Sequence, residues 1–280
     1  MVKPINTKTL GILCACITAF WAAFPISAAS DNSDYRVIYD GNVYEGESFT
    51  HNGRAYVSLR EFACTVDNSV VSWNGDTYTS TVTTDSLYLT AKEGALYINA
   101  NGRILWCENG VFTRDGVLYV PLRQAAEAFG FVSSYDASTH TTTITRVRGA
   151  IESGEEFYDE DDLYWLSKII HAESQGEPFL GKLAVGTVIL NRVDSDDFPD
   201  TIYDVIFDNE HGVQFTPTVD GAIEQTAGEE SVLAAKICLE DTRLSDEILY
   251  FLNEAAATNF WIVENCRYVL TIGVHDFYAP

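Results

Sequence analysis

The strongest constraint on the fold is an internal duplication in the first half of the chain. The segment NGRAYVSLREFAC at 52–64 recurs as DGVLYVPLRQAAE at 115–127, and each copy is a turn, a short strand and a Leu-Arg step into an amphipathic helix. A strand that carries an aromatic residue follows each copy, and after the second copy the residues alternate as they do in a strand. The repetition predicts a duplicated strand–helix–hairpin unit over residues 35–147.

These motifs resemble the N-terminal-like domain of copper amine oxidases, a wall-associated stalk module. The resemblance covers nearly all of 36–146 and depends on Asn-Gly-Arg…Tyr-Val-x-Leu-Arg in the first copy and Asp-Gly…Tyr-Val-Pro-Leu-Arg in the second. Copper oxidation needs a cluster of histidine ligands and a modified tyrosine, whereas this half contains only His51 and His140. The resemblance therefore implies a targeting or spacing module, and we predict neither a copper site nor another cofactor.

The N-terminus has the pattern of a secretory signal. Lys3 and Lys8 precede an apolar run from Leu10 to Phe24, and small residues follow Pro25. The run is too short to favour a membrane span. We predict a signal peptide over 1–29 and a secreted or cell-wall-associated protein that does not bind a membrane after cleavage.

The charge of the chain argues against two classes of partner. The formal net charge is −24, and removal of the two lysines of the signal would make the chain more negative still. Nucleic acid binding needs a basic surface, and an anionic membrane would repel such a chain. A glycan site here must therefore work through shape, stacking and hydrogen bonds. The sequence does not indicate the oligomeric state.

The cysteines outside the predicted signal are even in number. They are Cys64, Cys107, Cys238 and Cys266. An exported chain with an even count permits disulfides. Of the three possible pairings we expect Cys64–Cys107 and Cys238–Cys266, because each stays within one domain; free buried thiols are the alternative.

The second half of the chain predicts mainly helices. Residues 148–160 show no periodicity and many acids, which predicts a linker before a domain over 161–280. Helices are expected from Asp161 to Gly176, over 178–193 and over 231–244. The aromatic segments EILYFLN, FWIVEN and RYVLTIGVHDFYAP predict short strands or loops that form a wall.

One carboxylate of the first of these helices is placed unusually for a surface residue. At about 100° per residue, Glu173 falls inside the apolar stripe of Leu166, Ile169 and Ile170. Because an ionised acid is costly to bury unless it is paired, either it forms a buried ion pair, with Arg192 as a candidate, or the apolar face is the floor of a cleft. In a cleft, desolvation raises the pKa of the carboxyl, which can then donate a proton to a leaving oxygen. Helical spacing alone leaves both interpretations open.

Five separated motifs of this half resemble the SleB-type cell wall hydrolases, the spore-cortex-lytic family. They are HAESQGEPFLGKLAVG at 171–186, VILNRV at 188–193, FPDTIYDVIF at 198–207, VQFTPTVDG at 213–221 and TIGVHDFYAP at 271–280. The resemblance implies a lysozyme-like glycan-cleaving domain built around one glutamate in Ala-Glu-x-x-Gly-Glu-Pro, which is Glu173 here. It also implies lytic transglycosylation between N-acetylmuramic acid and N-acetylglucosamine, leaving a 1,6-anhydro end, in sporulation or germination.

The fold class is therefore expected to be α+β, with two domains. A small duplicated strand–helix–hairpin module precedes a mainly helical, lysozyme-like domain that has a small strand element.

Four further residues are candidates for substrate binding, and the first two belong to the family's Gln-Phe-[Ser/Thr]-Pro segment. Gln214 and Phe215 are expected to line the cleft, with a turn anchored on the following proline as the alternative, and Tyr250 and Tyr278 could stack on sugar faces or pack in the core. We predict substrate binding for these four residues.

Other residues of the same motifs are expected to have structural roles. The pair Asn191-Arg192 is expected to be structural and could orient the catalytic acid. His275 is expected to be a hydrogen-bonded structural histidine, and Glu177 a surface acid at the helix break.

Three other functions remain open from the residues. A muramidase would use water and a second acid, with Asp220 as a candidate. A non-catalytic cell-wall-binding protein would hold the buried glutamate for structure alone. A metallopeptidase would use His171, His211 and His275, but the chain has no His-Glu-x-x-His motif, and we predict no metal. The sequence does not distinguish spore cortex from vegetative wall as the substrate.

Overall fold

The structure is a computed structural model that describes residues 35–210 and 212–280. The predicted signal peptide at 1–29 lies outside the described residues. Within the described ranges, none of the helices combines the length and the apolar character needed to cross a bilayer.

The N-terminal half consists mostly of strands. In chain order its elements are β1 (Arg36–Tyr39), β2 (Asn42–Val43), β3 (Ser48–His51), β4 (Arg54–Ser58), α1 (Leu59–Val66), β5 (Val70–Asn74), β6 (Thr79–Thr83), β7 (Tyr88–Lys92), β8 (Tyr97–Ala100), β9 (Arg103–Trp106), β10 (Phe112–Arg114), β11 (Val117–Pro121), α2 (Leu122–Ala128), β12 (Phe131–Asp136) and β13 (Thr141–Arg146). They form sheets with the strand orders β12-β13-β1-β2, β10-β11-β4-β3 and β5-β6-β7-β8-β9.

The predicted duplication is visible in this half. β4, α1 and the β5–β6 hairpin form the first unit, and β11, α2 and the β12–β13 hairpin form the second. The two units meet where β4 pairs antiparallel with β11, with Ser58 opposite Tyr119. Helix α1 begins at Ser58, whose Oγ accepts a hydrogen bond from the backbone N–H of Glu61 at 3.4 Å.

The C-terminal half is mainly helical and ends in a small sheet. Its elements are α4 (Glu160–Ser174), α5 (Phe179–Val193), α6 (Ile202–Phe207), α7 (Pro217–Asp220), a 3-10 turn (Ala222–Glu224), α8 (Glu229–Leu239), β14 (Tyr250–Leu252), α9 (Trp261–Asn265), β15 (Arg267–Ile272) and β16 (His275–Ala279). The sheet order is β14-β16-β15. The predicted α+β class, with a strand-rich module before a helical domain, is confirmed.

Two elements of this half differ from the sequence predictions. Helix α8 stops at Leu239 rather than near residue 244, because Asp241 takes a φ of +60° and leaves the helical path. The segment FWIVEN is helical rather than extended, and forms α9. Asn259 explains the second difference, since its Oδ1 accepts a hydrogen bond from the backbone N–H of Trp261 at 2.9 Å and supports the first turn.

Residues 148–160 join the two halves but are not a free linker. They contain the short helix α3 (Gly154–Phe157), and Ile151 and Tyr158 are buried. The Asn101 side chain donates a hydrogen bond to the Ile151 carbonyl at 2.8 Å. The many acids of this segment predicted a solvent-exposed linker, whereas Ile151 and Tyr158 pack in the protein interior.

Strand β9 connects the module directly to helix α8. Arg103 forms a bidentate ion pair with Glu240, at 2.6 Å from Nη2 to Oε2 and 3.0 Å from Nε to Oε1, and the two side chains are only 6% and 5% exposed. The Tyr158 hydroxyl donates to Glu240 at 2.6 Å and accepts from the backbone N–H of Ile104 at 3.0 Å. Because Ile104 also packs in the apolar core of the helical half, the two halves share one buried boundary.

The predicted disulfides are wrong. All four described cysteines are free thiols. Cys107 is buried and its Sγ donates to the carbonyl of Leu105 at 3.7 Å, whereas Cys64 is exposed on α1. Cys238 is buried and its Sγ donates to a helical carbonyl, that of Leu183, at 3.7 Å, whereas Cys266 is half-buried beyond α9. Each predicted pair thus combines a core thiol with one nearer the surface.

Candidate active site

Helix α4 brings Glu173 to the site. The helix starts at Asp159, whose Oδ1 accepts hydrogen bonds from the backbone N–H groups of Asp161 and Asp162 at 3.0 and 3.1 Å. Its buried face includes the leucine and isoleucines of the predicted stripe. Beyond the helix end, Lys182 donates to the carbonyls of Glu177 and Gln175 at 2.5 and 3.4 Å. These bonds hold the turn that follows the acid in one geometry.

Glu173 is half-buried and carries no ion pair. Among the described residues its carboxylate makes neither a salt bridge nor a hydrogen bond; in particular, it is not paired with Arg192. Burial, followed by the negative charge of Asp220, raises the pKa of Glu173 to about 7. The buried ion pair with Arg192, one of the two interpretations left open by the sequence, is therefore absent.

Arg192 is engaged by other groups behind the site. It is buried, and its Nε donates to the carbonyl of Leu249 at 2.8 Å while Nη1 donates to Oε1 of Gln214 at 3.3 Å. The guanidinium also lies 4.7 Å from the ring centroid of Phe198 and 5.5 Å from that of Tyr250. Burial lowers the pKa of Arg192 to about 10. The Arg192 side chain therefore joins three segments of the chain, which agrees with a structural role but not with contact to Glu173.

The four predicted substrate-binding residues divide into two groups. Gln214 and Tyr250 are half-buried, and both lie against the Arg192 side chain. Phe215 and Tyr278 are each only 3% exposed, and the Tyr278 hydroxyl donates to Glu254 at 2.7 Å. Neither of these two rings has a free face for stacking, so the prediction of direct sugar contact is corrected to core packing for both.

The turn of the C-terminal hairpin is attached to the turn that follows α4. Glu177 accepts a hydrogen bond at Oε2 from the backbone N–H of Val274 at 3.0 Å. Gly273 has a φ of +62°, and a Cβ placed there would overlap the same carboxylate oxygen. Glu177 lies at the helix break, as predicted, and also links the turn after α4 to the turn before β16. The sequence did not indicate this contact, because Val274 lies 97 residues away from Glu177.

The histidines of the helical half have different surroundings. His171 is buried, and its Nδ1 accepts from the backbone N–H of Gly228 at 3.3 Å and lies 3.4 Å from the Ser231 hydroxyl. His275 is equally buried, but its Nδ1 has no hydrogen-bond partner among the described residues. The expectation that His275 is a hydrogen-bonded structural residue is therefore wrong for this nitrogen. Within the described ranges, no group of three or more His, Cys, Asp or Glu side chains could hold a metal ion.

A separate surface cavity of about 790 Å³ lies away from this acid, lined by residues that include Asn191, Arg243 and Arg267. Glu173 does not line it. Its lining is charged and its volume is open to solvent, so it lacks the desolvating surroundings that raise the pKa of the buried glutamate. The chemistry therefore favours the end of α4 as the site.

Two known families match separate parts of the chain. Residues 176–278 match the Cell Wall Hydrolase family, and residues 33–144 match the Copper amine oxidase N-terminal domain. The first match begins three residues after Glu173, so the assignment of that residue depends on its own geometry and motif.

Relatives of known name match the helical half. The chain is 36% identical over 120 residues to a spore cortex-lytic enzyme of Bacillus cereus, a match that covers 43% of this chain and 45% of that protein. A spore cortex-lytic enzyme of Halalkalibacterium halodurans is 34% identical, with 43% of this chain and 35% of that protein covered. The chain thus spans less than half the length of these curated relatives.

A solved structure also matches: the catalytic domain of the germination-specific lytic transglycosylase SleB from Bacillus anthracis. It is 32% identical with a TM-score of 0.40, and the match covers 46% of this chain and 99% of that one.

Proposed function

We propose that this chain, which carries a SleB-type cell wall hydrolase domain behind a copper amine oxidase N-terminal-like module, cleaves peptidoglycan as a lytic transglycosylase. The observation that carries the proposal is the half-buried carboxylate of Glu173, which has no partner among the described residues and a pKa raised to about 7. The names of the relatives support a glycan substrate. We place the cleaved bond between N-acetylmuramic acid and N-acetylglucosamine.

A single carboxyl group can serve both halves of this reaction. Protonated Glu173 donates its proton to the glycosidic oxygen as the bond to C1 of the muramyl residue breaks. The muramyl 6-hydroxyl then attacks C1, and the carboxylate accepts the hydroxyl proton, so a 1,6-anhydro end forms and the acid is regenerated. A pKa near 7 keeps both protonation states accessible near neutral pH. Holding the attacking hydroxyl within the same sugar supplies much of the rate.

The proposed location is the cell wall. A peptidoglycan substrate, together with the predicted signal peptide at 1–29, favours an exported protein that acts on spore cortex or vegetative wall, in sporulation or germination. The module over 35–147 would place the hydrolase domain against this polymer, with residues 148–160 as the packed connection.

Hydrolysis by water is the second candidate function. Asp220 is exposed on α7 and lies close enough for its charge to raise the pKa of Glu173. A second carboxylate in this position could activate water, as in glycosidases that use two acids. The products separate the two reactions: transglycosylation leaves 1,6-anhydro ends and hydrolysis leaves reducing ends.

The test compares the parent protein with Glu173→Gln on purified peptidoglycan sacculi, with the released fragments identified by mass spectrometry. We expect the parent to release anhydro-muropeptides and Glu173→Gln to release none while it keeps its fold. Glu160→Gln, an exposed acid of the same helix, is the matched control and should retain activity. Release of the same products by Glu173→Gln would overturn the proposal, and reducing ends would support the hydrolytic alternative.

A further inference from the structure

We propose that the outer face of the five-stranded sheet in the N-terminal module is a binding surface for the glycan strands of peptidoglycan. This inference depends on the proposed function, because it names a second contact with the same polymer. The outer face consists of the outward side chains of β5 to β8, which are Val70, Ser72, Asn74, Thr79, Thr81, Thr83, Tyr88, Thr90, Lys92 and Asn99.

The strand register places these side chains on one side of the sheet. Thr81 lies opposite Ser72 on one neighbouring strand and opposite Thr90 on the other. Thr90 in turn lies opposite Asn99. Directly opposed residues of antiparallel strands share a face, so these four form a polar row about 14 Å long, at about 4.8 Å between neighbouring strands. Leu89, which precedes Thr90, points the other way and is buried in the core of the module.

The outer face differs in charge from the rest of the chain. The formal net charge of the chain is −24, yet among the described residues the outward side chains of β5 to β8 include no acid. The acids nearest in sequence, Asp76, Asp85 and Glu93, lie in the turns between these strands. Lys92 gives the face a positive charge. Because the peptide stems of peptidoglycan carry carboxylates, an acidic protein is repelled least when it approaches this polymer through such a surface.

The chemistry of the outer face suits a sugar polymer. The Tyr88 ring is 57% exposed and offers a flat apolar surface with a polar tip. The Thr79 hydroxyl donates to the Thr77 carbonyl at 3.2 Å, whereas those of Thr81 and Thr90 have no hydrogen-bond partner within the described ranges. Hydroxyl groups both donate and accept, as do the hydroxyl and acetamido groups of a glycan. A second copy of this chain is a poorer occupant, since two chains of charge −24 repel each other.

The outer face continues into the boundary with the hydrolase domain. Ile104 lies opposite Asn99 and therefore points to the same side of the sheet. Tyr97 and Trp106, which pair with each other, also point to this side. These three apolar side chains pack in the core of the helical half, so the helices cover the sheet at β9 and leave it open over β5 to β7. A glycan strand on the open part is therefore held beside the hydrolase domain, which raises the local concentration of cleavable bonds.

The test measures binding separately from cleavage. The full chain carrying Glu173→Gln is co-sedimented with peptidoglycan sacculi, with and without Thr81→Glu, which adds one carboxylate to the polar row. We expect Thr81→Glu to weaken binding about fivefold, the value of one like-charge contact in water. The loss should shrink in about 0.5 M salt, because salt screens exposed charges. Thr81→Lys, which has the opposite charge at the same position, should bind at least as tightly as the protein without it.

The second hairpin provides a matched control. Thr143 lies opposite Ser134 in the β12–β13 hairpin, as Thr81 lies opposite Ser72, and both threonines are half-buried. Thr143→Glu adds the same charge to a different sheet and should leave binding unchanged. With Glu173 intact, Thr81→Glu should slow the cleavage of sacculi but not that of short soluble glycan fragments, which do not need the module.

Three outcomes overturn the inference. The first is unchanged binding in Thr81→Glu, and the second is an equal loss in Thr143→Glu or in Thr81→Lys, which would show an effect of net charge or of a disturbed strand. The third is a parent dimer that Thr81→Glu dissociates in sedimentation velocity, which would show that a second copy covers the face. Failure of the proposed function is recognised separately, since a parent protein that binds sacculi without releasing fragments would refute cleavage and leave the binding result standing.

Discussion

The ion pair between the module and the hydrolase domain allows a quantitative prediction. Arg103→Met removes the cation but keeps an apolar side chain of similar length, and it leaves Glu240 buried at 5% exposure without its bidentate partner. Breaking a buried pair in this way costs about 3–5 kcal/mol. The guanidinium also stacks 3.4 Å from the ring centroid of Phe157, a contact that methionine replaces only in part.

For a chain of this size each kcal/mol shifts the melting temperature by about 2–4 °C, so we expect a decrease of roughly 6–20 °C. Trp106 stacks on Phe179 across the same boundary, with the ring centroids 6.5 Å apart. The loss of stability is measured by circular dichroism during thermal and urea unfolding. The double substitution Arg103→Met with Glu240→Met removes the stranded charge and should recover most of the loss.

Arg54→Met is the matched control, because its pair with Glu108 is 55% and 59% exposed and should contribute less than about 1 kcal/mol. Two results would refute the reasoning: an Arg103→Met protein as stable as the parent, or a double variant less stable than the single one.

Further predictions concern the site and the core. A raised pKa means that folded Glu173 retains its proton where the unfolded chain loses it, so its contribution to stability is complete at pH 4, falls as the pH rises towards about 7 and stays reduced above it; Glu173→Gln should therefore melt higher than the parent at pH 8 but not at pH 4. The pH profile of sacculus cleavage should decline above about pH 7, as the acid loses its proton. Gly273→Ala should lower both stability and activity by forcing the Glu177 carboxylate away, and Glu177→Ala in the same chain should recover part of the stability, as measured by urea unfolding. Gly186→Ala places a Cβ 2.6 Å from the sulfur of Cys238 and should cost about 1–3 kcal/mol in the same measurement.

The sequence predicts what depends on local periodicity. The helix of Glu173 follows from the spacing of its apolar residues and from the acids at its start, and the duplicated unit follows from repetition. The contact of Glu177 with Val274 and the buried pair of Arg103 with Glu240 join residues 97 and 137 positions apart, and nothing near either residue signals its partner. The disulfides were mispredicted for the same reason, since an even count of cysteines says nothing about which sulfurs meet.

Arg103, Arg192 and Glu173 are all partly or fully withdrawn from water, and each has different surroundings. Arg103 is neutralised by a carboxylate, and Arg192 is held by carbonyl and amide oxygens and by aromatic rings. Glu173 has none of these among the described residues, so protonation rather than pairing offsets its burial. In the proposed reaction, a bound glycan displaces water from around Glu173 and shifts the equilibrium further towards the protonated acid. Under this proposal, substrate binding promotes protonation of Glu173, and the developing positive charge on the sugar ring then favours release of that proton to the leaving oxygen.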